Sequence, residues 1–206
     1  MLDLTESVYE GEDFTEVDLR SASLTSITFI DCDFAGATLA GARTTRVSFE
    51  RCDFTTAELY GTGHQGSSFV ACTFDRTAWH SSTLTGCRLT GSTFTDCRLV
   101  PLTLIDCDLT LVSLAGARLA KTDLSGLRLR EANLTGADLS SCVLRGTDLS
   151  GVRSAGLDLS GADLRGAAVD AALWVGAKLR GASVEVDQAV LFAAAHGLLI
   201  GSPERE

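Results

Sequence analysis

One phase of period five runs through most of this 206-residue chain, and neither a helix nor a plain strand can use it. Taking every fifth residue from Phe14 to Val184 gives 35 centre positions, of which 20 are Leu, 8 Phe, 2 Val and 2 Trp, with Thr44, His64 and Ser154 the polar exceptions. A helix needs an apolar period near 3.6 and a strand a period of 2. The residue two before each centre is mostly small, as at Ala22, Ala37, Ala42, Ala57, Ala162 and Ala167, and all seven cysteines fall there. The residue between is often Asp or Asn (Asp13, Asp33, Asp53, Asp108, Asn133, Asp158), and the residue two after the centre is Gly in 16 pentads. Local strand alternation puts positions i−2 and i inward and i−1 outward, so each unit is a short extended piece that must then turn. Gly supplies positive φ for that turn, and Asp or Asn can bond the backbone at the corner. Coils of such pieces stack into a parallel ladder and share one core that no single unit could bury. The reading is an all-β solenoid.

The clean copies AGATLAGA, EANLTGADLS and SGADLRGA resemble the pentapeptide-repeat family. The resemblance implies a right-handed quadrilateral parallel β-helix with four pentads, or 20 residues, per coil. At about 4.8 Å per coil, nearly nine coils make a rod of roughly 42 Å. No insertion breaks the phase, so no long loops are expected. The expected domains are a lead-in over residues 1–12, the β-helix over 13–186, a capping and dimerisation helix over 187–198, and a flexible tail over 199–206. The helix is read from VDQAVLFAAAHGL, with Asp187 as N-cap and Gly197 as the stop. It is apolar almost all round: one face can close the rod, and the other, through Val190, Leu191, Phe192, Ala194 and Leu198, calls for a second copy of the chain.

With coils of 20 residues, Cys32, Cys52 and Cys72 stack on one face, as do Cys87 and Cys107. There is no C-x-x-C and no histidine at ligand spacing, and the cysteine count is odd, so the thiols read as reduced, inward-facing small hydrophobes. Thr44 and His64 become neighbours, read as a locally distorted or turned-out face with His64 hydrogen-bonded. No Ser, Cys or carboxylate is placed by the pattern to complete a catalytic site with them. No catalytic, metal or cofactor site is expected, and the chain is not read as an enzyme. A β-helix glycosidase needs a carboxylate pair in a loop-built groove, and an ice-binding rod needs an unbroken threonine array, which Ala35 and Asp75 interrupt.

Charge is the remaining signal. The chain holds 27 acids against 17 Lys and Arg, a net −10, which disfavours direct binding to nucleic acid. Residues 1–58 hold 12 acids and 4 bases, whereas residues 59–186 hold 12 of each. The acidic candidates for partner contact are Glu12, Asp13, Glu16, Asp18, Asp31, Asp33, Asp53 and Glu58. With no apolar span or leader pattern, the expected location is the cytoplasm, away from membranes. The stretches CTFDRTAWHSSTL, CRLVPLTL, DAALWVGAKLRGASV and VDQAVLFAAAHGL are similar to the MfpA and Qnr fluoroquinolone-resistance type of the family, and to MfpA most. That resemblance implies a DNA-mimicking homodimer that binds DNA gyrase, modulating or inhibiting it and protecting it from fluoroquinolones. The competing readings are self-immunity against a gyrase-targeting natural product and a structural scaffold without gyrase binding.

Overall fold

The computed structural model of the protein describes residues 4–201. Its strands are β1 (Val8–Glu10), β2 (Ser23–Thr25), β3 (Thr28–Ile30), β4 (Arg43–Thr45), β5 (Ser48–Glu50) and β6 (Gly63–Gln65). They continue with β7 (Ser68–Val70), β8 (Thr73–Asp75), β9 (Ser82–Thr85), β10 (Thr93–Thr95) and β11 (Leu102–Ile105). Two helices follow, α1 (Ala171–Gly176) and α2 (Val186–Ala195). Among the described residues every pairing is parallel with a register step of 20 residues, as in Phe29↔Phe49 and Phe49↔Phe69. Four pentads therefore make one coil. Beyond residue 105 the faces are held by single parallel bridges such as Asp108↔Arg128 and Asp138↔Asp158.

The ladder explains the pentad position by position. A centre amide bonds the next coil, as Phe34 N–H does to Asp53 O at 2.7 Å, and an i−1 amide bonds the previous one, as Asp53 N–H does to Cys32 O at 3.1 Å. The i+1 amide at turned corners is taken by the Asp side chain before the centre: Ala35 N–H donates to Asp33 Oδ1 at 2.8 Å and Thr55 N–H to Asp53 Oδ1 at 2.8 Å. The corner residue sits at positive φ, and non-glycines such as Thr56 (φ 59°) and Leu111 (φ 61°) are held there by the coil. Gly126 (φ 68°) has open space where a Cβ would go, so only backbone strain opposes substitution. Gly126→Val is expected to cost about 1–2 kcal/mol and Gly126→Asn well under that, read from urea unfolding midpoints.

Inside, Phe14, Phe34, Phe54, Phe74 and Phe94 stack ring on ring at 4.7–5.1 Å, with Phe29, Phe49 and Phe69 stacked beside them. Leucines fill the core from Leu99 onward. All seven cysteines are free, six are buried and Cys97 is half-buried. Each thiol lies against a carbonyl one coil back, for example Cys72 Sγ at 3.4 Å from Phe49 O and Cys142 Sγ at 3.0 Å from Leu119 O. Burial pushes the Cys142 thiol up to about 11, so it has little thiolate to offer.

Three boundaries differ from the sequence reading. The register reaches back past residue 13, because Tyr9 lies opposite Phe29 and stacks on it at 5.3 Å. Near the other end, α1 replaces an extended side although the phase is unbroken. Asp170 caps it, accepting from Leu173 N–H at 3.1 Å, and Trp174 still points inward. Helix α2 starts two residues before the expected position, with Glu185 rather than Asp187 as N-cap. Gln188 fixes this start, since its Oε1 accepts from Glu185 N–H at 2.9 Å. Gly197 follows the helix at φ 80°, as read. Part of the tail, residues 202–206, and part of the lead-in, residues 1–3, lie outside the described residues. Among the described residues no helix is long and apolar enough to cross a membrane.

Candidate partner interfaces

The eight acidic candidates are all exposed and fall on the first three coils. Asp13, Asp33 and Asp53 form one vertical column, bridged 13↔33 and 33↔53, with Thr73 next above. Each carboxylate is aimed by its own corner, Asp13 accepting from Thr15 N–H at 2.9 Å. The hydrogen bonds from Thr15 hold the Asp13 carboxyl below the usual carboxylate range. Asp18 and Glu58 share the neighbouring face two coils apart, through Thr38. Glu12 and Glu16 flank the first rung, Glu16 at a corner of φ 55°. Two of the eight are matched by arginine. Arg20 donates to Asp18 from Nε at 2.9 Å, holding its carboxyl near about 2, and Arg51 donates to both oxygens of Asp31 at 2.7 Å.

Among the described residues no Lys or Arg forms an ion pair with Asp13, Asp33 or Asp53. Elsewhere the same outward position alternates in sign, as in Arg88, Asp108, Arg128 and Asp148, where Arg128 Nη1 lies 3.9 Å from Asp108. Like charges directly opposite across a ladder are destabilising, so the N-terminal column carries two such repulsions in succession, whereas among the other described bridges only Asp138↔Asp158 sets like charges opposite.

At the far end α2 lies across the last coil. Gln188 is its buried anchor, donating from Nε2 to Leu164 O and Ala167 O, both at 2.8 Å. The Ala167 carbonyl, at the position that a further coil would have bonded, is thereby satisfied, while Leu164 O also accepts from Ala167 N–H at 3.0 Å. The apolar stripes of the sequence did not reveal this polar plug; the signal was a Gln three residues after an acid at a helix start. Phe192 meets Trp174 edge to face at 6.0 Å. Val190, Leu191, Phe192, Ala194 and Leu198 are all exposed in the single chain, Leu191 by 53% and Leu198 by 63%.

His64 departs from the sequence reading. Its face is neither distorted nor turned out: Thr44 and His64 pair in register between β4 and β6, and both are buried. His64 Nδ1 lies 2.8 Å from Thr44 Oγ1, which in turn lies 2.8 Å from Ser67 Oγ, and Nε2 lies 2.9 Å from Thr62 Oγ1. Thr62 Oγ1 also lies 2.8 Å from Leu59 O and 2.9 Å from Ser82 Oγ, and Ser82 Oγ donates to Leu59 O at 2.6 Å. Hydroxyls are thus arranged around the ring after all, and stepping 2, 3 and 20 residues from His64 and Thr44 would have located them. Burial drives the imidazole down to about 3, so it is neutral. The network closes on itself inside the core, with no carboxylate in its chain of bonds. Among the described residues no group of three or more His, Cys, Asp or Glu could hold a metal ion.

This architecture recurs in solved structures. A trypsin-treated form of QnrB1, a plasmid-mediated fluoroquinolone resistance protein, superposes with a TM-score of 0.81 at 21% identity, covering 94% of this chain and 97% of that one. Full-length QnrB1 gives 0.76 at 19% identity over 93% and 100%. HetL, a pentapeptide repeat protein involved in heterocyst differentiation regulation from the cyanobacterium Nostoc sp., gives 0.52 at 25% identity over 85% and 84%. No curated protein matches the chain. A family model for a pentapeptide repeat region matches residues 77–153, and one for eight copies of the pentapeptide repeat matches residues 32–62, together just over half of the sequence. With a ladder that steps by four pentads and a corner at every fifth residue, the chain belongs to the pentapeptide-repeat family.

Proposed function

We propose that this protein is a non-enzymatic mimic of duplex DNA that binds DNA gyrase, modulates or inhibits it, and protects it from fluoroquinolones, working in the cytoplasm in the manner of the MfpA and Qnr type. The observation that carries the reading is the uncompensated acidic column on the first three coils. Residues 4–58 hold 11 acids and 4 bases, a net −7. At about 4.8 Å per coil these 55 residues rise about 13 Å, which places one net charge per roughly 1.9 Å. Duplex DNA carries one per roughly 1.7 Å. The middle of the rod is neutral, so only this end has the line charge of a nucleic acid. A basic DNA-binding groove would be steered toward it over about one Debye length, which is roughly 8 Å at physiological salt. The likeness to QnrB1, itself a fluoroquinolone resistance protein, supports the choice of partner.

The exposed apolar residues of α2 support a homodimer joined at that end, which would leave both acidic tips free. Leu191→Glu is expected to convert a dimer to a monomer in sedimentation at micromolar concentration, and a wild-type monomer under those conditions would contradict the pairing. The functional test is supercoiling by purified gyrase with the protein titrated in. Inhibition, or relief of drug-induced cleavage, is expected at low salt. Supercoiling and drug cleavage that stay unchanged at every protein concentration would leave a gyrase-independent scaffold as the better description.

A further inference from the structure

The ladder of the rod is open along one stretch. The coil of residues 93–112 is bonded to the coil of residues 113–132 at Phe94, whose N–H meets Ser113 O at 2.9 Å, and again at Leu109, whose N–H meets Arg128 O at 2.8 Å. Between those points the amides of Asp96, Leu99, Leu104 and Asp106 on one lip, and of Arg118 and Asp123 on the other, make no hydrogen bond across the gap. One coil earlier the matching bonds are all present: Arg76 N–H to Thr95 O, Trp79 N–H to Arg98 O and Gly86 N–H to Ile105 O, each at 2.8 Å. Strand β11 is consequently the edge of its sheet. Leu102 and Leu104 are only half-buried, although the corresponding Ser82 and Leu84 are buried. A cavity of about 220 Å³ lies at one end of the gap, between Phe94, Cys97 and Leu99 below and Ala117 and Arg118 above.

Two features of the sequence keep the lips apart. Pro101 has no amide to give to the corner rung. Arg98 and Arg118 occupy the same outward column 20 residues apart, so closure would set two cations directly opposite one another. Neither arginine has an ion-pair partner among the described residues.

We propose that this seam is a docking slot for an extended, acidic segment of a partner polypeptide, which adds a strand between the two coils. Both lips present alternating N–H and C=O groups in the same phase. A free anion would satisfy the amides but meet the carbonyls, whereas another peptide backbone complements both. The side chains of Leu102 and Leu104 offer apolar contact to every second residue of such a strand. Charge complementarity sets the sign of the partner. Arg98 and Arg118 stand opposite one another on the side between the corners at Asp96 and Lys121, while Asp123 and Asp106 lie beyond the Lys121 corner, so the acids of the incoming segment belong beside Arg98 and Arg118. The slot lies at mid-rod, separate from the acidic tip, and stands whether or not the tip binds gyrase.

The experiment pans a phage-displayed library of random ten-residue peptides on the full-length protein and reads hydrogen exchange by mass spectrometry. In the free protein, segments 96–106 and 117–124 are expected to exchange at least about 100-fold faster than coils bonded on both sides, such as 45–60. Selected peptides should carry acids, slow exchange in both segments, and bind at least about tenfold more weakly to Arg98→Ala/Arg118→Ala. They should also be lost when Thr103→Cys/Asp123→Cys is oxidised to staple the lips and recovered on reduction. Slow exchange of both segments in the free protein would show a seam closed in solution and overturn the proposal. So would peptides indifferent to the staple and to the arginine pair, or equal protection by inorganic phosphate, which would make the gap an anion site.

Discussion

Acidification from pH 7 to pH 4 is expected to remove about 3 kcal/mol of stability through His64 alone. Its imidazole lies at about 3 in the fold because burial disfavours the cation, against 6.5 for a free side chain. The folded value is depressed, so the unfolded chain binds the proton first. Stability from this group is complete above pH 6.5, falls by about 1.4 kcal/mol per pH unit below it, and levels off near pH 3. The neighbours cannot soften the effect, since Thr44 and Thr62 offer hydroxyls and no negative charge to a protonated ring. His64→Leu should behave oppositely. It restores the residue usual at a centre, and Thr44 and Thr62 keep Ser67 and Leu59 O as partners. The variant is expected to lose up to about 2 kcal/mol at pH 7 and to be nearly flat between pH 7 and pH 5. Urea unfolding of both proteins across that range is the check, and parallel pH profiles would show that His64 is not the acid-sensitive group.

The second large effect concerns the acidic column. Asp13→Asn, Asp33→Asn and Asp53→Asn together keep the side-chain oxygen that accepts the corner amide while removing three stacked charges. The triple variant is expected to unfold at higher urea than the wild type, because like-charge repulsion along the ladder is relieved. Its association with gyrase is expected to fall by about tenfold or more at low salt, with the difference shrinking as salt rises. A gain in stability with a loss of binding is the signature of charges kept for a partner. If binding is unchanged, the column serves solubility and the proposed contact lies elsewhere.

Most of the solenoid was legible because one physical demand, an inward residue at every fifth position, recurs without interruption. The corner chemistry was legible too, since the Asp-to-amide bond and the positive φ are local. Legibility failed where tertiary context overrides the pattern. Helix α1 keeps the phase of Trp174 while changing the backbone, so periodicity could not detect it; only Asp170 before Ala-Ala-Leu-Trp hinted at a helix start. Gln188 was overlooked because a buried polar plug contradicts an apolar stripe. The hydroxyl cage around His64 and the open seam between Asp96 and Asp123 arise between residues about 20 apart. They become visible only when coil length is applied to polar side chains and backbone donors as carefully as to leucines. The acidic residues were found by counting, but their split into an unpaired column and two arginine-matched partners required the coordinates.

The claim that the rod stands in for DNA is tested most directly by equilibrium competition on gyrase between this protein and a labelled linear duplex, repeated from low to high salt. The account expects mutually exclusive binding, with the affinity for the protein falling steeply as salt rises, because one set of Lys and Arg would hold both ligands. A ternary complex in which the duplex keeps its full affinity, or protein binding that does not change with salt, would contradict it.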